Sequence, residues 1–174
     1  MDTNLYHTIK GSIVKREDGL HFPITLIHGG PGSGKSRSIK DDLVKNKNAI
    51  DSDFHIIDPL SEYASFHNYN NVYVFETAHD SSEGLRVRHI LSALINISKI
   101  IKERQYSAKV IIEEALLLRF PGVLEVLHNS LLFYDAHNLF SDLIVTSQLN
   151  PDGINKHFLK DTGWSFVVED KGDD

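Results

Sequence analysis

The 174-residue chain contains no cysteine, which excludes a disulfide framework and any thiolate metal site. No apolar run approaches the length of a membrane span, and the first residues, MDTNLYHTIKG, lack the apolar core of a signal peptide. Together these absences lead to the expectation of a cytoplasmic protein with no membrane insertion of its own. Positive charge is scarce: 18 Lys and Arg against 24 Asp and Glu leave a formal net charge of −6. That balance disfavours broad, non-specific coating of nucleic acid and leaves local basic loops as the places that could touch a phosphate backbone. There are no repeats, no low-complexity segments and no linker rich in Pro, Gly or Ser. The ten histidines are scattered rather than spaced as metal ligands.

What is present is the composition of one α/β domain spanning 1–174, with 41% hydrophobic and 24% charged residues. Short apolar runs alternate with helical stretches, the pattern of a mostly parallel central sheet flanked by helices. Strands are expected at 24–28, 54–58, 72–75, 110–114 and 143–146, with an edge strand at 164–168. Helices are expected at 35–45, 59–66, 85–104, 123–137 and 153–159. The helix from Leu85 has the clearest period, with Val87, Ile90, Leu91, Leu94, Ile97 and Ile101 on one stripe. Asp18-Gly19 reads as the turn of a small N-terminal β-hairpin within 1–23, a decoration before the core. The acidic segment 169–174 reads as a frayed, solubilising tail.

The most informative stretch is ITLIHGGPGSGKS at 24–36, an apolar strand that runs into Gly29, four residues, and then Gly34-Lys35-Ser36. This is the phosphate-binding loop pattern G-x-x-x-x-G-K-[ST]. Gly29, Gly30, Gly32 and Gly34, with Pro31 and Ser33 between them, let backbone N–H groups turn inward around phosphate oxygens. Lys35 would reach the outer phosphates and the Ser36 hydroxyl would sit on Mg²⁺. The helix that starts here adds its positive N-terminal end to the same anion site.

Three further elements follow. Lys109-Val-Ile-Ile-Glu113-Glu114 is an apolar strand ending in paired carboxylates, the form of a Walker B element. The first acid holds Mg²⁺ and the second polarises the attacking water. Neighbouring side chains on a strand point to opposite faces, so both acids serve one site only if Glu114 lies at or beyond the strand end. The bland reading is a charged strand end before a helix N-terminus. Leu143-Ile-Val-Thr-Ser147-Gln148 places a polar amide at the end of another apolar strand, where it can sit beside the γ-phosphate; the bland reading is a turn into the next helix. Ile57-Asp58-Pro59-Leu-Ser-Glu62-Tyr63 reads locally as Asp58 capping a helix that starts at Pro59, which leaves Glu62-Tyr63 unexplained.

Taken in order, Gly-Gly-Pro-Gly-Ser-Gly-Lys-Ser, Ile-Asp-Pro-x-x-Glu-Tyr, Ile-Ile-Glu-Glu-Ala and Thr-Ser-Gln-x-x-Pro-Asp resemble the HerA/FtsK superfamily of DNA-pumping ATPases across residues 24–168. The loop and the acid-ended strand are shared by many ATPases; the second and fourth pieces are the more specific. The resemblance implies a RecA-like P-loop fold of the additional-strand type, with ATP and Mg²⁺ as cofactors. It implies DNA as a partner and self-association into a ring, a hexamer. The small size is most similar to the viral genome-packaging members, which adds capsid or membrane proteins as candidate partners and the virion as a candidate location. The stretch Glu113-Glu-Ala-Leu-Leu-Leu-Arg-Phe-Pro, with Asp142 before Gln148, also resembles the zonula-occludens-toxin-like phage assembly proteins, which usually carry a membrane helix.

Under this resemblance Lys35 and the loop bind phosphates, Ser36 and Glu113 hold Mg²⁺, Glu114 activates water and Gln148 senses the γ-phosphate. Two departures stand out. The family usually has Asp, not Glu, as the first acid, and many members carry an arginine shortly before the Ser/Thr-Gln strand, where this chain reads Phe133-Tyr-Asp-Ala-His137-Asn-Leu-Phe. A trans-acting arginine would then be Arg86, Arg88 or Arg119, because Arg104 ends its helix at the opposite pole. DNA contact is expected on pore-facing loops around Lys156, His157 and Lys160. Two other readings stand beside the motor: a nucleotide-dependent assembly, conjugation-type or regulatory module with slow hydrolysis, and a small P-loop kinase. Against the kinase, no lid carrying a pair of arginines follows the third strand.

Overall fold

The expected apolar runs become the centre of one seven-stranded sheet in the computed structural model, which describes residues 5–76, 82–136 and 140–169. Residues 137–139 and the acidic end at 170–174 lie outside the described residues. In chain order the elements are β1 (His7–Lys15), β2 (Leu20–His28), α1 (Lys35–Lys45), β3 (Ser52–Asp58), β4 (Val72–Glu76), α2 (Glu83–Arg104), β5 (Ser107–Ile112), α3 (Pro121–Ala136), β6 (Phe140–Ser147), α4 (Pro151–Ile154) and β7 (Trp164–Val168). Short 3₁₀ turns cover Ala64–Asn68 and Ala115–Arg119, and α4 runs on into a π-helical turn, Asn155–Leu159.

The spatial order is β4-β3-β5-β6-β2-β1-β7. The five strands from β4 to β2 are parallel, while β1 is antiparallel to both β2 and β7. One strand, β6, separates the loop-bearing β2 from the acid-bearing β5, which is the additional-strand arrangement of a RecA-like α/β fold. All five parallel strands end at the same edge of the sheet, where a parallel α/β fold builds its sites.

Both faces of the sheet are covered, which explains why the central strands are almost continuously apolar rather than alternating. On one face α2 and α3 pack on Ile24, Leu26, Ile57, Val110, Ile112, Leu143 and Val145. On the other, Ile39 and Leu43 of α1 pack on Ile27, Phe54, Ile56, Ile111 and Ile144. The stripe on α2 is buried at Ile90, Leu94, Ile97 and Ile101 as its period requires, and Ser82 Oγ caps the helix by accepting from Leu85 N–H.

The hairpin forms, but it is integral to the sheet rather than appended to it. Its second strand continues without a break into the strand that leads to the glycine-rich loop, so β2 is nine residues long, and β1 is flanked on its other side by β7. This packing needs Gly11. A Cβ there would fall 2.4 Å from Val167 O and 2.6 Å from the Phe166 ring.

The helix expected at 59–66 does not form. Pro59 and Leu60 make a turn, Ser61 adopts a positive φ of 54°, and only the short turn Ala64–Asn68 is helical. The Asp58 carboxylate does not cap a helix beginning at Pro59. Its two oxygens accept from the N–H groups of Glu62 and Tyr63, each at 3.0 Å, and this folds the chain back toward the sheet edge.

Candidate functional site

The loop between β2 and α1 is built for close backbone approach. Gly32 and Gly34 have φ of 74° and 97°, a region that costs a residue with a Cβ and costs glycine nothing. Gly29 N–H donates to Ser147 O at 3.0 Å, which pins the start of the loop to the end of β6. No side chain caps α1 at Gly34, so its first-turn N–H groups face the loop, as anion binding requires. Lys35 lies over the loop, its ammonium donating to Gly29 O at 2.6 Å and Gly30 O at 3.0 Å.

Across from the loop, β5 ends at Ile112. The strand expected to reach Glu114 stops earlier, and this is what puts both acids on the same side. Glu113 N–H still donates to Ile57 O, but Glu114 takes a positive φ of 93° and its N–H donates to Thr146 Oγ1 at 3.1 Å. Glu113 is 4% exposed. Ser36 Oγ donates to its Oε1 at 2.5 Å, and the Tyr63 hydroxyl donates to its Oε2 at 3.0 Å.

Burial pushes the Glu113 carboxyl above the ordinary carboxylate range, against the opposing pull of the Ser36 and Tyr63 hydrogen bonds. Burial and the adjacent Glu113 also push the Tyr63 phenol upward, so it stays a proton donor. At the base of the loop, burial together with the neighbouring His7 and Lys35 lowers the pKa of His28, whose ring stacks on His7 at 5.2 Å.

The loop from Pro31 onward and the two acids open on one cavity of about 740 Å³, within the range of small-molecule sites. Lys35, Ser36, Glu113, Glu114 and Gln148 all line it, as do Pro31, Gly32, Ser33 and Gly34 of the loop. Gln148 is exposed at the end of β6, opposite the loop. Glu114 also has a structural task, because its Oε1 accepts from Leu116 N–H at 3.2 Å and caps the turn Ala115–Arg119. The bland reading of a carboxylate at a helical N-terminus is therefore realised for Glu114 while its side chain still lines the cavity.

Other sequence candidates lie elsewhere. Asp142 is near the opposite end of β6 and accepts from Thr25 Oγ1 at 3.2 Å. Arg104 is held by Asp53 at 2.6 Å, far from the loop edge. Arg119 pairs with Glu83 at 3.5 Å and lies over the Phe120 ring, Arg88 is exposed, and Arg86 is half-buried. The arginine that does line the cavity is Arg37, directly after the loop motif. Lys156, His157 and Lys160 are exposed on and just after the last helical turn.

Among the cavity and site residues that had no role in the sequence reading are Arg37, Tyr6, Thr146 and Tyr63. Tyr6 lines the cavity with its ring beside Gly34, and nothing local in the sequence marks it. Thr146 and Tyr63 were inside motifs already singled out. Their partners, Glu114 and Glu113, are distant in the chain, so the pairing is invisible before folding.

The donor set fits a hard cation. A serine hydroxyl and a carboxylate oxygen in contact are the ligand types Mg²⁺ takes, and the described residues that line the cavity include no histidine, cysteine or methionine to favour another metal. No protein-family model matches the sequence, and no curated protein does. Among solved structures, the chain is similar to Thermomonospora curvata EccC (ATPases 2 and 3) in complex with a signal sequence peptide. The identity is 15% and the TM-score 0.45, over 92% of this chain and 35% of that one. The chain thus spans about a third of that structure's length, and a likeness this distant says nothing about activity. Among the described residues no helix is long and apolar enough to cross a membrane.

Proposed function

We propose that this chain binds ATP with Mg²⁺ and hydrolyses it, and that hydrolysis drives movement of DNA, as in a ring-shaped viral genome-packaging motor. The observation that carries the catalytic part is the Ser36–Glu113 contact, with Glu114 and Gln148 lining the same cavity. A loop that bound phosphate for structural reasons alone would not need a buried carboxylate against its serine. Mg²⁺ would supply charge neutralisation on the phosphates and a fixed geometry for the leaving oxygens.

The chain's own residues do the rest. The loop N–H groups and the Lys35 ammonium bind and orient the phosphates. Ser36 and Glu113 present oxygens to the cation. Glu114 accepts a proton from a water that Gln148 helps to position. The DNA-moving part of the reading rests on the order of motifs along the sequence, with Lys156, His157 and Lys160 as candidate backbone contacts and a hexameric ring as the candidate assembly.

A second reading is favoured by one observation. Glu114 is tied to Leu116 N–H, which weakens it as a base until that cap is released. A slow ATPase module, quickened by a partner, follows from that geometry. The deciding experiment is steady-state ATP hydrolysis with and without single- and double-stranded DNA, using Glu114→Gln as control. Stimulation by DNA that vanishes in the variant is the result expected of a motor. Hydrolysis indifferent to both DNAs assigns the slow module instead, and phosphate transfer to a small acceptor assigns a kinase.

A further inference from the structure

Glu113 has three side-chain torsions, so its carboxylate can sweep a wide arc unless something holds it. Two contacts chiefly do so. Ser36 Oγ occupies Oε1 and the Tyr63 hydroxyl occupies Oε2. Ser36 is itself one of the groups that would contact the cation, so Tyr63 is the stronger anchor independent of it, with Thr146 a weaker one.

Tyr63 is well placed for that task because it is immobilised on every side. Its side chain is fully buried, its ring packs against Phe66 at 6.2 Å, and the Lys40 ammonium lies 5.3 Å from the ring centre. Its backbone N–H is clamped by Asp58 Oδ2 while the neighbouring Glu62 N–H is clamped by Oδ1. The positive φ at Ser61 is the backbone strain that this clamp sustains. The four groups form a continuous chain from the end of β3 to the start of α1: Asp58, Tyr63, Glu113, Ser36.

We propose that Tyr63 is a positioning residue for the metal site. Its hydroxyl fixes Glu113 Oε2 so that Oε1 stays on Ser36, and the Asp58 clamp sets Tyr63 in turn. This rests on the reading of the cavity as a Mg²⁺–ATP site. It gives the Asp58-Pro-x-x-Glu62-Tyr63 segment a chemical task that no helix cap would supply.

The test is binding rather than turnover. ATP affinity is measured by calorimetry in EDTA, and Mn²⁺ affinity by electron paramagnetic resonance with ATP present. Tyr63→Phe is expected to weaken Mn²⁺ binding by about 10-fold or more and to leave metal-free ATP affinity within about twofold, which is within measurement scatter for an untouched site. Glu113→Asp, which withdraws the carboxylate from Tyr63 by one methylene, is the second variant. Adding Tyr63→Phe to it should cost less than about twofold more, because the two changes break the same contact. Equal loss of metal-free and metal-dependent binding, or unchanged Mn²⁺ affinity in Tyr63→Phe, overturns the proposal. Failure of the unmodified chain to bind ATP at all overturns the underlying site assignment, and the unmodified control separates the two failures.

Discussion

Ser36 Oγ lies 2.5 Å from Glu113 Oε1 and joins the first turn of α1 to the end of β5. One hydroxyl and one carboxylate, both suited to Mg²⁺, are thereby held side by side at the mouth of a glycine-rich loop. Glu113→Gln keeps the size and removes the charge. The Mg²⁺ concentration for half-maximal hydrolysis should rise by about 10-fold or more, read from a metal titration of ATPase activity.

Glu114 has a structural task as a cap and, under the proposed function, a second task as the base, and substitution can separate the two. In Glu114→Gln the amide oxygen still accepts from Leu116 N–H, so the cap on Ala115–Arg119 survives while the proposed base is lost. ATP binding should be retained and kcat should fall by about 10²–10⁴-fold. Glu114→Ala should match that loss of kcat and additionally lower stability by about 1 kcal/mol, the usual cost of a lost cap. Equal melting temperatures for the two variants would count against the cap.

Among the described residues Lys35 is the one ammonium that hydrogen-bonds the loop, through Gly29 O and Gly30 O. Lys35→Ala should reduce ATP affinity by at least about 10-fold, the equivalent of one charge-assisted hydrogen bond of roughly 1.5–3 kcal/mol. The check is a calorimetric titration, and unchanged affinity would remove Lys35 from the phosphate site.

Gly11 is required by packing, not by its φ. A methyl at this position meets the Val167 carbonyl, which is backbone and cannot swing aside. Gly11→Ala should destabilise the chain by about 1–3 kcal/mol, the range for overpacking, with β7 moving away from β1. Urea unfolding followed by Trp164 fluorescence reports both effects, since Trp164 lies in β7.

His55 makes stability depend on pH. Its ring is fully buried and stacked on Tyr73 at 5.0 Å, and neither ring nitrogen has a hydrogen-bond partner among the described residues. Burial, then the nearby Arg104, lower its pKa from 6.5 to about 4. The unfolded chain therefore takes up a proton that the folded chain refuses, so this contribution is fully present above pH 6.5 and is lost as pH falls toward 4. Between pH 7.5 and 5 the loss is about 2 kcal/mol. Glu113, with its raised pKa, acts in the opposite sense, so the comparison must be made between variants. His55→Phe keeps the stack and removes the titration. Its stability should fall by about 2 kcal/mol less than the unmodified chain's over that interval, measured by urea unfolding at both pH values.

Much of this molecule was determined locally by its sequence. Gly32 and Gly34 take the left-handed backbone that a phosphate loop needs, and the apolar period of α2 matches the face it buries. Apolar runs with no alternation became strands covered on both sides. These features were legible because each depends on residues within one turn or one strand of each other. Tertiary structure decided the rest. The end of β5 at Ile112 is set by the strands beside it: Ile112 is paired with Ile57 and Val145, and past that point Glu114 N–H turns to the Thr146 side chain. That is what brings both acids to one cavity. Asp58-Pro59 favours a helix by every local rule, yet the helix is absent. Burying Tyr63 against Ile39, Leu43 and Phe66 and joining its hydroxyl to Glu113 requires the chain to turn back instead. Local propensity is worth a fraction of a kcal/mol per residue, whereas burying an aromatic ring and satisfying a buried carboxylate are each worth several times that, so the long-range contacts set the backbone there.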